Sequence, residues 1–148
     1  MARGDLQASL VQRPQIAQSL TDHLRAVIDG GSVAQVTKHL TAAMTAAVNF
    51  CDPLLVQHRR AARELGVSIE KLNALWDFAR SDLFTASERA ALSAAVALSR
   101  EPRALPPAVW KQLRSHFDEG GAMEVLCTIG ALNYLCRVTN ALDSEVPA

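Results

Sequence analysis

Apolar residues recur along this chain at three- and four-residue intervals, the spacing of helices that bury one face. From Pro14, the positions Ile16, Leu20, Leu24, Val27 and Ile28 fall on one side of a helix, and Gly30-Gly31 ends the run. Ser32 can cap a second helix whose stripe is Val33, Val36, Leu40, Met44, Ala47 and Val48. Asp52-Pro53 then interrupts the pattern. Proline is disfavoured inside a helix but welcome in its first turn, and Asp is a good N-cap. The sequence therefore predicts a break at Cys51 and a new helix from Pro53 to Leu65, closed by Gly66. A fourth helix follows the Ser68 cap, with Ile69, Leu72, Trp76 and Ala79 on one side. Thr85 and Glu88 form a capping box for an alanine-rich fifth helix ending near Ser99. The stiff segment EPRALPP leads into a short helix carrying Val109, Trp110, Leu113 and Phe117. Gly120-Gly121 separates it from a last helix, Ala122 to about Leu142, apolar almost all round.

No segment shows clean two-residue alternation bounded by turns, so the expected class is all-α, a bundle of six to seven helices. Residues 1–13 read as an N-terminal arm and 14–148 as a single domain. At 148 residues the chain suits one compact core, and 49% hydrophobic residues suffice to order it. A last helix apolar on most faces must be buried centrally or shared with another subunit, so a homo-oligomer is expected.

Fifteen basic residues balance fifteen acidic ones, and no basic run is interleaved with aromatics. This argues against nucleic acid as a partner. The N-terminal stretch lacks a signal-peptide core, and no later segment reads as long and charge-free enough to span a bilayer. A cytoplasmic protein with no membrane association is the expectation. Three cysteines, an odd number, fit a reducing compartment better than a disulfide framework. Cys127 and Cys136 fall on one helix, about 13 Å apart along its axis, and cannot bond to each other.

The candidate chemistry gathers at VNFCDPLLVQH, residues 48–58. Cys51 precedes a helix N-terminus, whose partial positive charge favours a thiolate, while Asp52 places a negative charge beside it. His58 follows about one and a half turns into the helix. On these residues alone, a buried inert cysteine with a backbone-bonded histidine and a reactive thiol assisted by an imidazole both stand.

The segment resembles the central motif of the alkylhydroperoxidase D-like / carboxymuconolactone decarboxylase family, with Asn49, Cys51 and His58 in matching places. HRRAARELGVSIEKLNAL, FTASERAALSAAVALSR and LRSHFDEGGAMEVLCTIGALNYLCRVTNAL are also similar to it, so the resemblance runs from about Val33 to Leu142. It implies a trimer or hexamer, a small-molecule substrate (a hydroperoxide or a small organic acid) and no cofactor. The departures are specific. Leu54 stands where the redox branch has its second cysteine, His39 where it has a relay glutamate, and Pro53 where it has an aromatic residue or histidine. A two-cysteine cycle within this motif is therefore excluded.

Three readings follow. One is single-cysteine hydroperoxide reduction at Cys51 with His58, completed by an external thiol reductant. Another is decarboxylase-type acid–base chemistry by His58 and His39. The third is a catalytically silent oligomeric binding protein. His39, Cys51 and His58 could also supply three zinc ligands, but their spacing matches no standard zinc motif, and no metal is expected.

On the last helix, Asn133, Arg137 and Asn140 form a polar stripe. The bland reading is a structural network pairing Arg137 with Glu88 or Glu124; the sharper one has Arg137 and Asn133 binding an anionic substrate. Trp76 and Trp110 are expected in the core or, failing that, as interface anchors. Arg59, Arg60 and Arg63 make a basic face beside His58, most simply solvated.

Overall fold

The computed structural model describes residues 6–101 and 103–143, which places residues 1–5, Pro102 of the linker and residues 144–148 outside the described set. Among the described residues there are eight α-helices and no strand. They are α1 Leu6–Leu10, α2 Pro14–Ile28, α3 Gln35–Val48, α4 Asp52–Glu64, α5 Ile69–Asn73, α6 Ala86–Arg100, α7 Pro107–His116 and α8 Glu119–Asp143. A 3-10 turn, Leu75–Asp77, follows α5. The all-α class holds, but the helix count exceeds the expected six to seven. The additional element is α1, inside the segment read as an arm.

Helix α3 is the hub, packed against α4, α6 and α8. Ten of its side chains are buried, from Thr37 to Ala47, many of them alanine and threonine. Small side chains let neighbouring helices approach it from several sides. The largest apolar cluster lies between α3, α6 and the first half of α8, around Leu40, Met44, Leu92, Val125 and Ile129. A smaller cluster gathers Ala42, Ala46, Cys51, Leu54, Leu132, Leu135 and Cys136, and α2 lays Leu20 and Leu24 against it.

The predicted caps at Ser68 and Thr85 form: Ser68 accepts from the Lys71 backbone N–H, and Thr85 and Glu88 make a reciprocal capping box. Three local expectations fail for identifiable reasons. Ser32 does not cap α3, whose N-cap is Ala34. Instead the Glu124 carboxylate accepts from the backbone N–H groups of Ser32 and Val33 at 2.8 and 3.0 Å. Gly120-Gly121 does not precede α8 but lies inside it, because Asp118 accepts from the Gly121 N–H at 2.7 Å and the helix starts three residues earlier, at Glu119. The absent side chain at Gly121 also leaves room for Val33 and Phe117. Trp76 and Trp110 are exposed rather than core.

By length and composition α8, with 25 residues, is apolar enough to cross a membrane, contrary to the sequence expectation. Its apolarity has a use inside the fold, since ten of its residues are buried. Lys38, fully enclosed, pairs with Glu124 at 2.9 Å and donates to the Gly30 carbonyl. Glu88 pairs with Lys71 at 2.7 Å. Both carboxylates expected to meet Arg137 are thus committed elsewhere, and Arg137 is exposed.

Candidate functional site

The turn between α3 and α4 places Cys51. Its N–H donates to the Ala46 carbonyl at 2.9 Å, and the Phe50 N–H donates to Ala47 at 3.1 Å, the paired bonds of a Schellman ending. Gly66 closes α4 in the same way with a positive φ of 96°. At the end of α3 that left-handed position is held by Phe50, at φ 53°, with its side chain 88% exposed. A non-glycine residue there costs roughly 1 kcal/mol, so the turn is held by its surroundings. The Cys51 carbonyl then accepts from Leu55 N–H at 3.0 Å and starts α4. Cys51 itself is the N-cap residue of α4, not Asp52, which lies in the first turn. One backbone unit therefore ends one helix and begins the next, and the thiol points into the apolar interior with no exposure.

A polar clamp fixes this turn to α8. Asn49 Nδ2 donates to Asn133 Oδ1 at 2.8 Å, and Asn140 Nδ2 donates to the Asn49 carbonyl at 2.8 Å. Asn133 also donates to Ser99 at 3.2 Å. Asn133 is thus committed to holding helices together, and Arg137, one residue beyond the inward face, lines neither cavity beside the site. The inward positions are 133, 136 and 140, with Cys136 between the two asparagines. Cys136 is fully enclosed, like Cys51, and belongs to the same apolar cluster.

His58 lies two turns along α4 from Cys51, on the same buried face as Leu54 and Ala62. Seven residues of rise put it roughly 10 Å from Cys51 along the axis. Helical side chains lean toward the N-terminus, so its ring lies over Leu54 rather than reaching the sulfur. The ring meets His39 of α3, with Nδ1 to Nδ1 at 3.0 Å and ring centroids 5.3 Å apart. One nitrogen must donate and the other accept, so the contact requires at least one neutral ring. Burial first, and the neighbouring His39 second, push the His58 pKa down to about 4. Burial also lowers His39, with Asp29 acting in the opposite direction. At neutral pH the pair is uncharged.

Two cavities with shared walls adjoin these groups. The larger, about 520 Å³, lies between α1, α2, α4 and α8 and is walled mainly by leucines, with Thr139 on its α8 side. The smaller, about 360 Å³, is lined by His39, His58, Asp29 and Arg25. Leu54, Gln57 and Leu135 belong to both. Leu54 and Leu135 also pack in the cluster that encloses Cys51 and Cys136, so the cysteines lie directly behind the cavity wall. The Thr139 hydroxyl is buried without a hydrogen-bond partner. Among the described residues no three His, Cys, Asp or Glu side chains converge as a metal site.

Of the sequence candidates, the fold brings His39 and His58 together and seats Cys51 behind their cavity. It leaves Arg137 outside and turns Asn133 to a structural use. Cys136 and Thr139 were not singled out. Their signal was the spacing of 133, 136 and 140, obscured by the charge of Arg137.

Residues 14–97 match the Carboxymuconolactone decarboxylase family. The chain is 32% identical over 114 residues to the uncharacterized protein YnjA of Escherichia coli K12, a match covering 76% of this chain and 61% of that one. It is 22% identical over 115 residues to the uncharacterized protein YdfG of Bacillus subtilis, covering 77% and 78%. The chain thus spans about three fifths of the length of YnjA. Its fold is shared with an Agrobacterium tumefaciens protein of unknown function whose proposed role is antioxidant defence as an AhpD. That likeness has a TM-score of 0.84 at 22% identity over 95% of this chain and 96% of that one. A cysteine-to-alanine variant of the debrominase Bmp8, in complex with 2,3,4-tribromopyrrole, gives a TM-score of 0.83 at 23% identity, covering 94% and 74%. The chain belongs to the carboxymuconolactone decarboxylase family, with the fold of the alkylhydroperoxidase D-like structure.

Proposed function

We propose that the protein is a thiol-dependent enzyme that reduces small hydroperoxides at Cys51. The observation that supports this most directly is the placement of Cys51 at the head of α4, behind the Leu54–Leu135 wall shared by a leucine-walled cavity and the adjoining smaller cavity that His39 and His58 line. The Cys51 sulfur attacks the terminal peroxide oxygen; the S–O bond forms and the O–O bond breaks. The thiol proton ends on the departing oxygen, giving Cys51 sulfenic acid and an alcohol or water. Because roughly two helical turns separate Cys51 from His58, the substrate bridges them. His58, uncharged at neutral pH, relays the proton through hydrogen bonds with the departing oxygen and His39. The leucine walls favour an organic hydroperoxide with an apolar body.

The test is the pH-dependent reaction of hydrogen peroxide and cumene hydroperoxide with each cysteine, followed by peptide mapping in the wild type, Cys51→Ser and His58→Ala. Selective oxidation of Cys51, slowed in His58→Ala, is expected. Reaction no faster than at the half-buried Cys127 ends the proposal.

One observation favours a second reading, acid–base lyase chemistry: the 3.0 Å contact between two uncharged imidazoles at a cavity wall. That reading expects turnover of a small organic acid that survives Cys51→Ser and is lost in His58→Ala.

A further inference from the structure

We infer that Cys136 of α8 is the second redox thiol of this site, closing a disulfide with Cys51 and supplying from another helix what Leu54 withholds from the motif. The inference rests on the reading of Cys51 as the oxidised residue.

Three features carry it. Cys51 and Cys136 are both without exposure and pack in one apolar cluster, with Leu54, Leu132 and Leu135 around them. The clamp at Asn49 fixes the facing register: Asn133 and Asn140 grip the residue two positions before Cys51, and Cys136 lies between them on the same face of α8. The backbone of Cys51 is held as well, its N–H by α3 and its carbonyl by α4. The electrostatics of the two thiols agree with these three features. Burial raises the Cys136 pKa most, and the charge of Cys51 and a hydrogen bond with it raise it further. Cys136 thus keeps its proton beside Cys51.

The chemistry balances without a further oxidant. After Cys51 becomes a sulfenic acid, the Cys136 sulfur attacks the Cys51 sulfur. The S–S bond forms, the S–O bond breaks, and the hydroxyl leaves as water with the Cys136 proton. An external dithiol then returns two electrons and two protons by thiol–disulfide exchange and is itself oxidised. The enclosed setting suits this order, since a sulfenic acid shut away from solvent meets the neighbouring thiol first. Cys127, nine residues before Cys136 on α8 and half-buried, is an internal control.

The experiment treats the full-length chain with one equivalent of hydrogen peroxide at neutral pH. The reaction is quenched in denaturant containing dimedone and N-ethylmaleimide and mapped without reduction. A parallel arm uses diamide, which forms disulfides without peroxide chemistry. The expected result is a linked pair of peptides carrying Cys51 and Cys136, with Cys127 alkylated. Dimedone should label Cys51 at least about tenfold more in Cys136→Ser and Cys136→Ala than in the wild type, and Cys127→Ser should change nothing. Sulfenic or sulfinic acid at Cys51 with Cys136 recovered as a free thiol overturns the inference and leaves the peroxidase reading standing. If peroxide leaves Cys51 untouched, the peroxidase reading falls and the diamide arm decides the pair: a Cys51–Cys136 link sustains it, and its absence overturns it.

Discussion

Helix α8 passes through two interiors of different character. Its first half enters the large apolar cluster, where the charged groups are provided for: Lys38 by Glu124 and the Gly30 carbonyl, Glu124 also by two backbone N–H groups, and Glu88 by Lys71 and the Thr85 N–H. Its second half enters the smaller cluster, which holds two thiols, an unpartnered hydroxyl and a cavity of about 520 Å³. A native interior leaves few polar groups unpaired, and those it leaves mark where something else is accommodated. The difference separates the part of the molecule that secures the fold from the part that has room for a ligand.

The largest expected effect lies in the secured half. Glu124→Gln strands the enclosed Lys38 ammonium and weakens the acceptor for Ser32 and Val33. A loss of about 3 kcal/mol is expected, measured by urea denaturation. A loss below about 1 kcal/mol would erase the contrast between the halves.

Next is the histidine pair at the smaller cavity. His58 has a folded pKa of about 4, depressed below the ordinary 6.5, so the unfolded chain binds more protons in that window. Its contribution is complete above pH 6.5 and is lost as pH falls toward 4, by up to about 3 kcal/mol. In His58→Gln the slope of stability against pH should flatten between those values. Below that window Glu124 adds a decline of its own. Burial alone would raise that carboxyl, but the Ser32 and Val33 N–H groups and Lys38 outweigh it and hold it at about 2. A wild-type curve flat from pH 7 to 4.5 would rule out a neutral buried imidazole.

The smallest effect has the opposite sign. Thr139→Val replaces an unpartnered hydroxyl by a methyl group of the same shape. It should leave stability unchanged or raise it by up to about 1 kcal/mol in the same denaturation assay. Substantial destabilisation would mean that the hydroxyl is satisfied after all.

Most of the fold was legible in the sequence because its signals are local. The stripe from Ile16 to Ile28, the break at Cys51, the Ser68 cap and the Thr85–Glu88 box act within a few residues of themselves. What was misread depends on partners far along the chain. Ser32 does not cap α3; its own N–H and hydroxyl are held by Glu124, 92 positions away. Gly120 and Gly121 looked like a stop and became helix because Asp118 and the packing of Val33 favour it. Cys51 and His58 were legible from the motif, and the fold adds the contact between His58 and His39. The enclosure of Cys136 in the cluster that holds Cys51 was not legible, since the charge on Arg137 drew the inward face of α8 one residue too far.

The separation of the two thiols along the chain has a consequence in chain entropy. Cysteines three residues apart close a short loop and restrict an unfolded chain by only about 2 kcal/mol in the loop-closure account. Cys51 and Cys136 are about 85 residues apart, and joining them would remove roughly 4 to 5 kcal/mol of denatured-state freedom in the loop-closure account. Oxidation here would be recorded in the resistance of the whole molecule to unfolding.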